Sequence, residues 1–248
     1  MPIKSRYTRI LVGTNGNGNA WDFSGVSNSL DVEVSSEKLE DTTFQSARTF
    51  LAGNTAGNIA QAGYYDNSGA NTFEQEIAES VINDELLYVA ALFGTETAAC
   101  AAYVAPQTST ENMAIGTPVA ELITLSGGWG AGTGLKRGVR LFSGTISATG
   151  AQTGVDLGVA GTTGGQAWLF VTAVTGTATG ATATVQSAAA ADFSGAATEG
   201  TFTFTGKGAT AIALTGAIGR YVRLNLTSLG GASGITATAI IAVNGVTQ

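Results

Sequence analysis

Apolar and polar positions alternate along much of this chain in short runs. Residues 30–34 read Leu30, Asp31, Val32, Glu33, Val34, the period-two pattern of a strand with one wet face. A short apolar start, Ile10, Leu11 and Val12, precedes it. One segment keeps a different period. Over 72–83, Phe73, Ile77 and Val81 fall four residues apart with Glu74, Glu76 and Glu79 around them, which is one stripe of a 3.6-residue repeat. Asn71 with Glu74 three residues later fits an N-cap pair, and the early glutamates suit the positive end of a helix dipole. A helix is therefore predicted over 72–83. After Glu85 the chain runs continuously apolar to Phe93, a pattern open to a buried strand or to more helix; a strand stopped by Gly94 is favoured.

Further strands are predicted at 101–105, 119–125 and 137–143, with turn-rich sequence over 107–118 between the first two. From Gly144 the texture changes to Gly, Ala and Thr. Residues 201–205 place Phe202 and Phe204 on one face and three threonines on the other, and 220–227 place Val222, Leu224 and Leu226 inward. Strands are also predicted at 167–174, 182–187 and 235–243, separated by glycine-rich turns at 161–165, 176–180, 206–208 and 230–234. Short strands so punctuated predict an antiparallel sandwich or jelly roll. Two regions are expected, 1–143 and 144–248, with the change of texture falling between 142 and 165.

Composition narrows the class. With 248 residues the chain can bury roughly 70–75% of its unfolded surface and needs no covalent staple. Charged residues are 12% of the chain, about half the usual roughly 25%, so its surface suits cover by neighbours more than life as a free monomer. Thirty-five Gly with three Pro and no Gly-X-Y repeat exclude collagen, and the apolar content argues against disorder. Cys100 is the single cysteine, so no internal disulfide forms and a reducing compartment is the simpler expectation. Behind Lys4 and Arg6 no apolar core follows, so no signal peptide is expected, and no run approaches the roughly 20 apolar residues of a membrane span. Residues 1–140 hold fifteen Asp/Glu against eight Lys/Arg, whereas 141–248 hold three of each, which suggests two different environments.

Catalytic chemistry finds little to work with. The chain has no histidine, which removes the commonest general acid/base and neutral metal ligand. One cysteine makes no zinc site, and no calcium loop is present. The carboxylate pairs Glu40/Asp41 and Asp84/Glu85 are sequence neighbours, typical of solvated loops and helix ends. Two glycine-rich stretches, 13–19 and 127–137, lack the Gly-Lys-Ser/Thr ending of a phosphate loop and read as loops between strands. Lys136, Arg137 and Arg140 sit in an acidic protein without a basic stripe, so pairing with carboxylates of a neighbouring copy is a better expectation than nucleic-acid binding. Trp168 opens an alternating strand and is expected in the core; Trp129, in a glycine stretch, fits either an exposed interface or the interior. No cofactor and no enzymatic activity are expected.

Taken in order, the first third carries a resemblance. The acidic strand at 30–34 leads into a polar stretch with Glu40, Asp41, Thr42, Thr43, Phe44 and Phe50, and then into Ile59 through Gly63, Tyr64, Tyr65 and Asp66, ahead of the helix. This order resembles the major tail tube proteins of long-tailed bacteriophages. Gly116, Pro118, Val119, Glu121 and Leu122 are similar to a Gly-x-Pro-Val-Gly-Glu/Asp-Leu stretch of that family, with Ala120 in place of its second Gly. Lys136 to Val139 looks like its Arg-Gly element, and Gly219 to Arg223 with Gly234 to Thr236 its final strand pair.

The resemblance implies a mainly β fold: a tail-tube-type β-sandwich or barrel with one flanking α-helix, followed by a second, jelly-roll-like antiparallel sandwich. It implies six copies pairing strand edges into a ring, rings stacking into a hollow tube, and passage of DNA without specific binding. Self-assembly, a tape-measure protein and tail-end proteins are the implied partners; no membrane is. The location would be the virion tail, with assembly in the host cytoplasm. The segment 40–58 would reach the adjacent ring, with Asp41, Thr42, Thr43, Phe44, Arg48 and Phe50 as contact residues. Asp31, Glu33 and Glu37 are the candidate lumen-facing acids, since an acidic wall repels phosphates. The competing readings are another phage virion β-protein (a capsid decoration or baseplate-hub component) and a free carbohydrate-binding sandwich.

Overall fold

In the computed structural model, residues 8–16, 18–41, 49–65, 74, 78–79, 82–83, 86–94, 100–117, 121–131 and 134–245 are described. They form sixteen strands, and every registered pairing between them is antiparallel. The chain divides into two compact units. Unit 1 comprises Met1–Ser24, Ala90–Val104 and Arg137–Gln248; unit 2 comprises Gly25–Val89 and Ala105–Lys136. Compactness thus divides the chain discontinuously, where the change of texture in the sequence suggests one cut at 143/144.

Unit 1 contains a sandwich. One sheet has the order β14 (Gly208–Leu214), β11 (Gly165–Thr175), β16 (Gly234–Val243) and β8 (Lys136–Ile146). It continues through the unit-1 parts of β6 (Ala101–Gly116) and β5 (Leu87–Phe93) to β1 (Arg9–Thr14) and β2 (Ala20–Asp22). The other sheet joins β10 (Val155–Asp156), β15 (Tyr221–Ser228), β12 (Ala181–Ala188) and β13 (Ala197–Phe204), with β9 (Gly150–Ala151) also on β15. The chain crosses between sheets after β8, β10, β11, β13, β14 and β15. Between them lies one apolar core, in which Leu169, Ala239 and Ile241 meet Val185, Phe202 and Leu224.

Period-two patterning explains this core. Phe202 and Phe204 are buried while Thr201 and Thr203 are exposed, and Val222, Leu224 and Leu226 are buried between partly exposed neighbours. Trp168 is fully buried, as its pattern predicts. On the outer faces, threonines pair across strands: the Thr182 and Thr227 hydroxyls lie 2.7 Å apart, and those of Thr145 and Thr236 2.8 Å.

The β1–β2 hairpin is stitched to β14 by backbone. Gly16 N–H donates to the Ala209 carbonyl at 2.8 Å and Gly18 N–H to the Lys207 carbonyl at 3.0 Å. Gly208 adopts φ +142°, and a Cβ there would overlap the Gly16 carbonyl oxygen, so this junction requires glycine. The stretch 13–19 is therefore a docked turn, held by its carbonyl and amide groups. Arg9 pairs with Asp22 across the same hairpin.

Several sequence expectations change. The stretch 107–118 reads as turns, yet β6 continues through it to Gly116; Thr108 and Thr110 supply an inward face that its polar composition hides. The strand expected at 119–125 begins at Thr124, with 118–120 outside the described residues. The glycine stretch at 127–137 is mostly strand, β7 (Thr124–Ala131), and Trp129 within it is fully buried. The ambiguous apolar run is a strand, β5. Of the expected helix, Glu74, Ala78, Glu79, Ile82 and Asn83 have helical backbone; Phe73, Ile77 and Val81 lie outside the described residues.

Candidate assembly surface

Unit 2 is organised around a long hairpin. β3 (Ser27–Asp41) pairs with β4 (Thr49–Tyr64), β4 with β7, and β7 with the distal part of β6. The register fixes which residues share a face. Val32 pairs with Ile59 and Ile59 with Trp129, whereas Asp31 pairs with Ala60, and Glu33 with Asn58, which pairs with Gly130.

The first set forms the covered face. Ile59, Trp129 and Leu125 are fully buried there, and Gln61 is buried with its Nε2 donating to Ser27 Oγ. Thr108 donates its hydroxyl to the Gly130 carbonyl from β6. The Trp129 indole N–H and the Gln61 Oε1 have no protein partner.

The second set forms an open face. Asp31 and Glu33 are exposed, and beside them stand Asn58, Ala60 and Ala62 of β4 and Ser126, Gly128 and Gly130 of β7. On β6 the register shifts between Thr110 and Asn112, placing Glu111 in a bulge. Its carboxylate lies where a Cβ on Gly130 would stand, and the Asn112 amide lies 3.2 Å from the corresponding point on Gly128. The two glycines therefore let polar side chains of the neighbouring strand lie flat across the sheet. Glu111 joins the acidic set only through this bulge, a signal that its turn-like sequence surroundings conceal.

The candidate contact residues are partly placed. Asp41 pairs with Thr49, and Glu40 with Phe50, at the far end of the hairpin; Thr42, Thr43, Phe44 and Arg48 lie outside the described residues. The segment 40–58, expected as a loop, is strand at 40–41 and 49–58. Its Gly, Ala, Asn and Thr composition reads as turn, but pairing with β3 along its length, joined by β7 from Gly57 on, overrides that propensity. Glu37 falls at the register shift between Ser36 and Lys38.

Two further properties bear on assembly. Among the described residues β3 pairs on one side only, and such an edge is a template for another strand. Charge is divided sharply between the units: unit 2 holds thirteen Asp/Glu against three Lys/Arg, and unit 1 five against eight. Division by compact unit therefore concentrates the acids more than division along the chain does. Of the basic group, Lys136 and Arg137 are exposed while Arg140 is buried in unit 1, its N–H donating to the Cys100 carbonyl at 3.0 Å. Among the described residues, no group of three or more metal-ligating side chains gathers.

No family model and no curated protein matches the chain. Among solved structures it is similar to the SPP1 tail tube, at 15% identity over 55% of this chain and 78% of that one, with a TM-score of 0.46. It is similar to a chain of the anti-feeding prophage tube-terminating cap, at 12% identity over 55% and 91% and a TM-score of 0.41. The SPP1 Dit protein, a hub of the adsorption apparatus, aligns over 94% of this chain and 98% of its own, at 9% identity and a TM-score of 0.33. At these TM-scores and identities the likenesses carry no weight for function, which rests on the sheet described above.

Proposed function

We propose that the protein is a structural subunit of a phage tail tube, with no catalytic role. The observation that carries this reading is the unit-2 sheet: one face packed, the other open, acidic and flattened by glycine, with β3 paired on one side only among the described residues. A free β edge is an aggregation hazard unless it is used, and a closed ring of copies uses every edge. In this reading six copies join edges into a barrel whose inner wall is the open face. Asp31, Glu33 and Glu37 then line the lumen and repel passing DNA phosphates.

The rest of the assignment follows from the resemblance in sequence. The region 1–143 supplies the tube module, with the helix at 72–83 as a brace beside the sandwich, and 144–248 supplies the second sandwich. The hairpin end, with Asp41, Thr42, Thr43, Phe44, Arg48 and Phe50, contacts the adjacent ring. Tape-measure and tail-end proteins complete the tail, which assembles in the host cytoplasm and resides in the virion.

Negative-stain electron microscopy of the concentrated protein, with its solution mass, tests the proposal. Six-fold rings or hollow tubes are the expected result. Discrete trimers would refute it in favour of a decoration protein.

A further inference from the structure

Asparagine is followed by glycine three times in this chain, at Asn15, Asn17 and Asn244. In such a pair the asparagine side chain can close on the next backbone nitrogen, because glycine has no side chain to hinder the approach. The attacking group is the glycine N–H. What that N–H does in the fold therefore decides whether the reaction runs.

The three pairs differ at that group. Gly16 N–H donates to the Ala209 carbonyl at 2.8 Å and Gly18 N–H to the Lys207 carbonyl at 3.0 Å. Both nitrogens are held in the junction with β14, although Asn15 itself is exposed. Asn244 and Gly245 are both exposed in the turn after β16, where Gly245 has φ +76°. Among the described residues no acceptor takes the Gly245 N–H. The Asn244 side chain has a structural task instead. Its Nδ2 donates to the Thr163 carbonyl at 3.0 Å, and its backbone N–H to the Gly164 carbonyl at 2.9 Å. These bonds tie the end of β16 to the 161–164 turn, whose other side is held by Gly161 and Ile218 exchanging two 2.9 Å backbone bonds.

We propose that Asn244 is a site of spontaneous deamidation whose product unlatches the 161–164 turn, while the β14 junction keeps Asn15 and Asn17 intact. The Gly245 nitrogen loses its proton to water and bonds to the side-chain carbonyl carbon of Asn244. The bond from that carbon to Nδ2 breaks and ammonia leaves, closing a succinimide ring. Water then opens either carbonyl–nitrogen bond of the ring, giving aspartate or, with the main chain rerouted through the side chain, isoaspartate. The net change is one water in and one ammonia out, with no oxidation or reduction. The new carboxylate only accepts hydrogen bonds, so it stands as an acceptor against the Thr163 carbonyl where a donor stood before.

Incubation of the full chain in mildly alkaline buffer, followed by peptide mass mapping, tests the site. In the native protein Asn244 should convert at least about tenfold faster than Asn15 or Asn17, whose glycine amides react only in the opened fraction. In urea all three should convert at similar rates, which would show that the fold sets the selectivity. Native conversion at 15 or 17 as fast as at 244 would overturn the proposal. So would a native Asn244 that stays intact while all three react in urea. Asn244→Asp, which carries the product side chain at an exposed position, tests the latch. It should lower the thermal midpoint by about 2–4 °C, the shift for one lost hydrogen bond in a chain of this size. An unchanged midpoint would overturn the unlatching.

Discussion

Replacing Trp129 by phenylalanine tests the interior of the unit-2 sheet more sharply than deleting it. Trp129 is fully buried between Ile59 on β4 and Thr110 on β6, and its indole N–H has no protein partner. Truncation to Ala should cost about 3–5 kcal/mol, the usual range for a buried aromatic. Phenylalanine removes about 40 Å³, which at ~24 cal/mol per Å³ costs about 1 kcal/mol. It also removes a buried unpaired donor, whose desolvation penalty is about 1–3 kcal/mol. The two effects oppose, so Trp129→Phe should leave unit 2 within about 1 kcal/mol of wild type or more stable. Urea unfolding followed by far-ultraviolet circular dichroism measures this. The other two tryptophans, Trp21 and Trp168, lie in unit 1, so their fluorescence in the variant reports unit 1 separately and should not shift. A loss of 2 kcal/mol or more for Trp129→Phe would refute the reasoning, because it would mean the N–H has a partner that phenylalanine leaves orphaned.

Four further outcomes are expected. Gly208→Ala, at φ +142° against the Gly16 carbonyl, should destabilise unit 1 by about 1–3 kcal/mol in thermal unfolding; a neutral result would show the β1–β2 junction to be dispensable. The Arg220 guanidinium donates two bonds to the Asp156 carboxylate, which holds its pKa down from 3.8 to about 2. A depressed carboxylate contributes stability that is present above 3.8 and lost as pH falls toward 2, so Asp156→Asn should match wild type at pH 2 and differ, modestly for so exposed a pair, at pH 5. Burial pushes the Cys100 thiol up; it should resist a thiol reagent at neutral pH in the folded protein and react only on unfolding, and fast labelling of native protein would contradict the packing against Gly94. Phage carrying Asp31→Asn, Glu33→Gln and Glu37→Gln together should eject DNA more slowly, and unchanged ejection would argue against an acidic lumen.

Legibility in the sequence followed the strength of the side-chain pattern. Residues 201–205 and 220–227 alternate bulky apolar with polar groups, and both strands fold with the face assigned to them. β6 and β7 alternate too, but through Thr108, Thr110, Gly128 and Gly130, residues that also favour turns. There the strand is imposed by pairing on neighbouring strands, which no local window contains. Acidic Asp31 and Glu33 were visible as one face of β3 because their apolar partners Leu30, Val32 and Val34 are strong signals. Glu111 was not, since its place on that face depends on a one-residue bulge. The β1–β2 junction with β14 escaped for a similar reason: it is made by backbone groups of residues nearly 200 positions apart, and glycine is its one trace in the sequence.

The division of charge between the units constrains how copies can meet. Unit 2 carries thirteen acids against three bases, so two copies approaching through like regions of it repel each other. Contacts that succeed must either pair backbone, as along the β3 edge that is unpaired among the described residues, or bring the few basic residues onto acidic ground. The repulsion is long-ranged in dilute salt and screened beyond about 10 Å at 0.1 M, whereas edge pairing and apolar cover act at contact. Association should therefore rise with ionic strength, with a steep onset where the Debye length falls below the spacing of neighbouring acidic faces. Assembly driven by attraction between opposite charges would show the reverse dependence, so sedimentation across a salt series separates the two modes of assembly.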